Sequence, residues 1–135
     1  MTEFQMIRKA IEENIHIFLE KGARVCIYPF GEFGLKTKQI LNECFGIQEY
    51  LILDNGFCKT NKNIKPVEYL AEIDTSEMVV LFTAANPEVK DIVKANLLKY
   101  CDEGQIIDIF PDGEYWSKTI CGKYSYGPLC DHWAG

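Results

Sequence analysis

The sequence predicts an α/β domain of three layers, in which a parallel sheet of about four to five strands lies between helices and an amphipathic helix comes first. Short, almost wholly apolar segments alternate along the chain with segments of helical periodicity. Strands that are apolar on both faces are typical of a parallel sheet covered on both sides. The first strand also runs into a glycine-containing turn that opens a helix. The 135 residues suffice for one domain with a substantial core.

The first half of the chain predicts two helices and two strands. Residues 3 to about 20 repeat apolar side chains at helical spacing, at Phe4, Ile7, Ile11, Ile15 and Phe18. Gly22 ends that helix, and residues 23–28 form the first strand. A second helix is predicted from Glu32 to Phe45, closed by Gly46, with a buried face of Leu35, Ile40, Leu41, Cys44 and Phe45. Residues 49–54 form the second strand.

The second half continues the alternation. Residues 56–65 read as a polar connector, and Pro66 opens a short helical turn. Residues 77–84 form a third buried strand, Asn86 caps a helix that begins at Pro87, and residues 104–110 supply a fourth strand. We therefore expect a domain over residues 1–110. Residues 111–135 form a separate tail rich in glycine and aromatic residues.

Composition excludes several classes of protein. The net charge is −6, and the sequence has no cluster of Lys and Arg long enough to follow the phosphate backbone of a nucleic acid. Nucleic acid is therefore not an expected partner. No apolar run approaches the roughly 18 residues of a membrane span. The N-terminal residues carry acidic side chains and lack the pattern of a secretory signal, so we expect a cytoplasmic protein.

The cysteines and histidines indicate neither a disulfide framework nor a catalytic site. Six cysteines are scattered without a C-x-x-C pair. Cys121, Cys130 and His132 are the one grouping with metal-ligating chemistry, but structural zinc sites use four ligands, so the prediction is no metal. No Ser-His-Asp, Cys-His or paired-acid pattern is visible, and we expect no catalytic residues in this chain.

The candidate binding site is the turn after the first strand, Pro29-Phe30-Gly31-Glu32-Phe33-Gly34. It follows the G-x-G-x-x-G spacing of a phosphate-binding turn, with proline in place of the first glycine. Gly31 permits close approach of a ligand to the backbone, and Gly34 permits close packing of helix on strand. Pro29 offers no N–H, and the Glu32 carboxylate would repel a pyrophosphate.

Polar residues after the second and third strands extend this candidate site. Asp54 ends the second strand twenty residues after Gly34, where an acid that binds ribose hydroxyls is expected, and Asn55 could assist it. An equally good interpretation is that Asp54-Asn55-Gly56 only forms a turn. Thr83 and Asn86 follow the third strand and could contact a base or ribose, although helix capping is the stronger interpretation of Asn86.

The segments "IYPFGEFG", "LILDNG", "PVEYL" and "VVLFTAANPEV" together resemble the Rossmann-like domains of bacterial enzymes that modify sugars in capsule and lipopolysaccharide biosynthesis. The resemblance covers roughly residues 23–100. It implies a pocket for a nucleotide or nucleotide-sugar at Gly31, Glu32, Phe33, Gly34, Asp54 and Asn55. Pro29 and Phe30 depart from the small residues of that family.

The tail carries a second resemblance. "CGKYSYGPLC" is similar to the opening coil of hexapeptide-repeat acyltransferases, with Cys121, Gly122 and Ser125 in the repeating positions. This implies the N-terminal domain of a longer sugar O-acyltransferase, whose missing C-terminal transferase domain would cover the aromatic tail. Without that domain we expect the tail to promote a homo-oligomer. The alternative is a degenerate Rossmann-like scaffold or oligomerisation domain without a ligand.

Overall fold

The structure is a computed structural model, and it describes residues 2–111. Its helices are α1 (Glu3–Glu20), α2 (Gly31–Phe45) and α3 (Pro87–Leu98), and its strands are β1 (Arg24–Tyr28), β2 (Leu51–Leu53), β3 (Ile64–Lys65), β4 (Met78–Phe82) and β5 (Ile106–Asp108). Short 3-10 helices span Phe57–Lys59, Val67–Glu72 and Glu103–Gln105.

The five strands form one parallel sheet in the order β3-β2-β1-β4-β5. The central strand β1 pairs along its whole length with β4, from Arg24 opposite Met78 to Tyr28 opposite Phe82. The first strand lies at the centre of the sheet, the next two extend the sheet outward to β3, and β4 and β5 are added on the other side of β1. This order matches the first five strands of the doubly wound 3-2-1-4-5-6 order, and the predicted α/β fold is confirmed.

Two apolar cores cover the two faces of the sheet and make the domain three-layered. On one face α1 and α2 pack against the sheet, with Phe33 and Leu41 fully buried beside Ile27. On the other face α3 and the Val67–Glu72 turn pack against alternate residues of the same strands, including Phe82. Because neighbouring strand residues point to opposite faces, a strand buried on both sides must be apolar throughout, as β4 is and as β1 is after its exposed first residue, Arg24.

Local sequence signals determine where the helices begin and end. Thr2 and Gln5 form a capping box at the start of α1. Gly46 takes the left-handed conformation that closes α2. Asn86 accepts a hydrogen bond from the Glu88 N–H and caps α3.

The structure corrects several details of the sequence prediction. Leu35 and Cys44 are exposed rather than buried, because the buried stripe of α2 passes through Phe33, Thr37 and Ile40. Leu35 lies two residues beyond Phe33, about 200° around the helix. The predicted connector over residues 56–65 contains a 3-10 turn and the edge strand β3.

The residues of the predicted tail, including Cys121, Cys130, His132 and the hexapeptide-like coil, lie outside the described residues. Within residues 2–111, no helix is long and apolar enough to cross a membrane. The same part of the chain contains no cluster of His, Cys, Asp and Glu that could hold a metal ion.

Candidate functional site

The predicted site residues meet at the carboxyl edge of the sheet, the edge formed by the C-terminal ends of the parallel strands. Three loops leave this edge: residues 29–34 after β1, residues 54–57 after β2, and residues 83–86 after β4. In parallel sheets this is where ligands bind, because loops and helix N-termini converge there. Hydrogen bonds join the loop after β1 to the loop after β2 and to the loop after β4.

The β1–α2 turn brings the start of α2 unusually close to the end of β1. The Tyr28-Pro29 peptide bond is cis, and Gly31 has a φ of 28°. A Cβ atom added at Gly34 would lie 2.7 Å from the carbonyl oxygen of Pro29, a distance that no side chain tolerates. Gly34 therefore has the packing role that its spacing predicted.

No side chain caps α2, unlike α1 and α3. Phe30 occupies the N-cap position, and its backbone N–H donates to the Asp54 Oδ2 atom at 3.0 Å. The first N–H groups of a helix have no partner within the helix, and together with the helix dipole they favour an anion. The start of α2 thus has one backbone N–H bound by a carboxylate.

Asp54 links the β1–α2 turn to its own loop. Besides the Phe30 N–H, its Oδ1 atom accepts the N–H groups of Gly56 at 2.8 Å and Phe57 at 2.9 Å. The side chain therefore makes the turn that one interpretation predicted, and it also reaches the neighbouring strand's loop. A carboxylate accepts about four hydrogen bonds, so about one acceptor position remains.

The other predicted polar residues also bind backbone groups. Asn55 accepts the Val67 N–H at 2.8 Å and connects the β2 loop to the segment after β3. The Thr83 hydroxyl donates to the Pro29 carbonyl, and Thr83 is fully buried. Asn86 caps α3, which confirms the stronger interpretation of that residue.

Three side chains that could fill the β1–α2 turn lie in different places. The Phe33 ring is fully buried and packs on Phe110 with ring centroids 4.8 Å apart, so it points into the core. The Glu32 carboxylate is exposed and lies 3.6 Å from Lys36, one turn along α2. The Phe30 ring packs edge-on against Phe57 at 6.3 Å and forms an apolar wall beside Asp54.

The structure adds two features that the sequence analysis did not identify. Lys90 of α3 forms an ion pair with Asp108 at the end of β5, at 2.9 Å, and also donates to the Phe110 carbonyl. The acid in the apolar run "QIIDIF" is a signal that could have found it. At the end of β1, burial and the nearby carboxylates of Asp54 and Glu68 together raise the pKa of Tyr28 to about 12.

The structure describes four of the cysteines, of which Cys26 and Cys101 are buried. Cys26, Cys44, Cys58 and Cys101 are all free thiols. Burial raises the pKa of Cys26 far above its usual range and that of Cys101 to about 11, so these two hold their protons at neutral pH.

Comparisons of the chain with protein-family models, with curated proteins and with solved structures found no match.

Proposed function

We propose that this domain binds a nucleotide or nucleotide-sugar at its carboxyl edge, as a non-catalytic part of a sugar-modifying transferase in bacterial capsule or lipopolysaccharide biosynthesis. The observation that carries the binding proposal is the start of α2, which lies at this edge without a side-chain cap. Helix N-termini in this position bind phosphate through backbone N–H groups. The transferase and its pathway rest on the sequence resemblance alone.

The ligand's phosphate would lie against the first turn of α2, at the backbone N–H groups of Gly31 and Glu32. The remaining acceptor position of Asp54 suits one hydroxyl group of an adjoining ribose, since the carboxylate is held in place by three N–H groups. The Phe30 and Phe57 rings supply apolar surface on the same side. Such a ligand replaces the missing cap of α2.

Nucleotide binding is tested by thermal unfolding of the 135-residue chain with UDP, CMP, ADP and their sugar conjugates. A ligand present at 100 times its dissociation constant stabilises the fold by about 2.7 kcal/mol. We expect at least one of these nucleotides to raise Tm. Unchanged Tm with the whole panel contradicts the proposal.

Glu32→Gln tests where the phosphate binds. Glu32 is an exposed carboxylate in the first turn of α2, and removing its charge should tighten binding of an anionic ligand about two- to fivefold. Glu43→Gln removes the same charge from an exposed position of the same helix, about 16 Å away along the axis and beyond the Debye length of about 8 Å. Equal effects of the two substitutions would contradict binding at the turn.

A second candidate function is an assembly scaffold without a ligand. It is favoured by the observation that Asp54, Asn55, Thr83 and Asn86 all hold backbone groups of the domain itself. In that case the edge serves to fix the loops for contact with a transferase domain or a second copy. No nucleotide would then change Tm, and sedimentation of the chain with Trp116→Ser and Tyr126→Ser would show whether the aromatic tail mediates self-association.

A further inference from the structure

A groove lies beside β3, on the face of the sheet that α2 covers. Its volume is about 370 Å³, within the range of about 300–1,000 Å³ of small-molecule pockets. We call it the β3 groove. Its lining residues are Phe30, Lys38, Glu49, Tyr50, Leu51, Ile52, Asn61, Asn63 and Ile64.

The floor of the β3 groove is apolar because of strand register. Ile52 pairs with Ile27 on one side and with Ile64 on the other, so the three side chains share one face. Ile27 is covered by the core under α1 and α2. Ile52 is only partly buried, because α1 packs against β4 and β5 while α2 packs against β1.

The charges in the lining cancel. Lys38 lies 3.3 Å from Glu49, whose side chain is only 9% exposed, and the Asn42 amide donates to the same carboxylate at 3.0 Å. Burial raises the pKa of Glu49, but the hydrogen bonds from Asn42 and Lys38 outweigh it and lower the pKa. The Glu49 carboxylate is therefore ionised at pH 7 and its charge is balanced by Lys38 beside it, so the groove favours an uncharged ligand.

The remaining polar groups of the lining are amides and a phenol. The Asn61 side-chain oxygen accepts the Asn63 N–H at 2.9 Å, whereas the Asn63 side-chain amide has no hydrogen-bond partner within residues 2–111. Such an amide can donate and accept at once, as a pair of vicinal hydroxyls requires. Tyr50 is 46% exposed, and the Arg24 guanidinium lies over its ring, 4.4 Å from the ring centroid.

We propose that the β3 groove binds a neutral pyranose sugar, with its hydroxyls on the Asn61 and Asn63 amides and its apolar ring face on the groove's aromatic and isoleucine surface. Phe30 belongs both to the groove and to the β1–α2 turn. The sugar is therefore either a free saccharide or the sugar half of a nucleotide-sugar bound at that turn. The second source rests on the proposed function.

The test is a titration of the isotope-labelled 135-residue chain, followed by amide chemical shifts. The probes are methyl glucoside, methyl N-acetylglucosaminide, UDP and UDP-N-acetylglucosamine. A sugar in the groove should produce saturable shifts at residues 49–52 and 61–64. Asn63→Ala should weaken this binding about five- to tenfold by removing a hydrogen-bonding amide. Lys62→Ala, at the exposed residue between the two asparagines and outside the lining, should leave it unchanged.

The probes separate this inference from the proposed function. Groove shifts with the methyl glycosides support a free saccharide, whereas groove shifts with the UDP-sugar alone support the sugar half of a nucleotide-sugar. Shifts at Gly31 and Glu32 with UDP, together with no groove shifts with any sugar, contradict sugar binding in the groove and leave the proposal of nucleotide binding intact. Groove shifts with the methyl glycosides, without any response to UDP, support sugar binding in the groove and contradict nucleotide binding. Groove shifts that Asn63→Ala leaves unchanged also overturn the inference.

Discussion

Asp54 shows how one side chain serves both architecture and binding. Its carboxylate accepts N–H groups from Phe30, Gly56 and Phe57, and so joins the loop after β2 to the turn after β1. Sequence spacing suggested a ribose ligand or a turn, and the geometry confirms the turn. Ribose binding stays a prediction, for which the carboxylate retains about one acceptor position.

Asp54→Ala should lower the free energy of unfolding by about 1–3 kcal/mol, because the partly buried Phe30 N–H loses its partner while water can reach the other two donors. Urea unfolding of the purified chain measures this loss. Asp91→Ala, at an exposed acid of α3, is the matched control and should change stability by no more than about 0.5 kcal/mol. Equal losses in the two variants would show that the three hydrogen bonds contribute no stability of their own.

At the scale of elements, the junction of β1 and α2 determines the geometry of the carboxyl edge. Gly34 lies against the Pro29 carbonyl, and the buried Thr83 hydroxyl donates to that same carbonyl from the end of β4. One carbonyl group therefore contacts both α2 and the neighbouring strand's loop. A change in the distance between α2 and β1 would move the candidate phosphate site.

Gly34→Ala should destabilise the domain by about 1–3 kcal/mol, since the new Cβ would lie 2.7 Å from backbone that Thr83 also holds. Each kcal/mol lowers Tm by about 3–5 °C in a domain of this size, which circular dichroism resolves. Gly104→Ala is the control, because a Cβ there meets nothing within 4 Å. If Gly34→Ala has the same Tm as Gly104→Ala, the close approach of α2 to β1 is not required for stability.

Periodicity predicted the long elements well and the short ones poorly. The helix and strand patterns around Ile11 and Val80 repeat over enough residues to identify α1 and β4. β3 contains two residues within a polar segment, so its strand pairing depends on contact with β2 and has no local signal. Leu35 is exposed although it is hydrophobic, since a hydrophobic side chain does not by itself show which way a helix faces.

The candidate site was predictable in position but not in its contacts. The Gly34 spacing and the chain positions of Asp54 and Asn86 placed the loops correctly, because parallel strands end at one edge of a sheet. The hydrogen bond from Phe30 to Asp54 and the pairing of Lys90 with Asp108 join residues distant in sequence. Such contacts follow from the packing of the whole domain and leave no spacing rule in one sequence.

At the scale of the whole molecule, stability should fall at alkaline pH. Burial raises the pKa of Tyr28 to about 12 and that of Cys101 to about 11. Groups with a higher pKa in the folded chain stabilise it fully below their unfolded values, about 10 for Tyr and about 8.5 for Cys, and lose that contribution as pH rises toward the folded values. The free energy of unfolding should therefore decline above about pH 9 and more steeply above about pH 10.

Tyr28→Phe separates the tyrosine from the thiols in this decline. The Tyr28 hydroxyl ionises at a lower pH in the unfolded chain than in the folded chain. Raising the pH from 9 to 11 should therefore lower the free energy of unfolding of the native protein by about 1.4 kcal/mol through Tyr28 alone. The phenylalanine variant keeps the ring that packs beside Phe82, at a centroid distance of 6.5 Å, and should lack that part of the decline. Urea unfolding at pH 7, 9, 10 and 11 measures both slopes. Tyr50→Phe, at a ring that is 46% exposed, is the control for the loss of a tyrosine hydroxyl. Parallel pH profiles for Tyr28→Phe and the native chain would contradict a buried, proton-retaining hydroxyl at the end of β1.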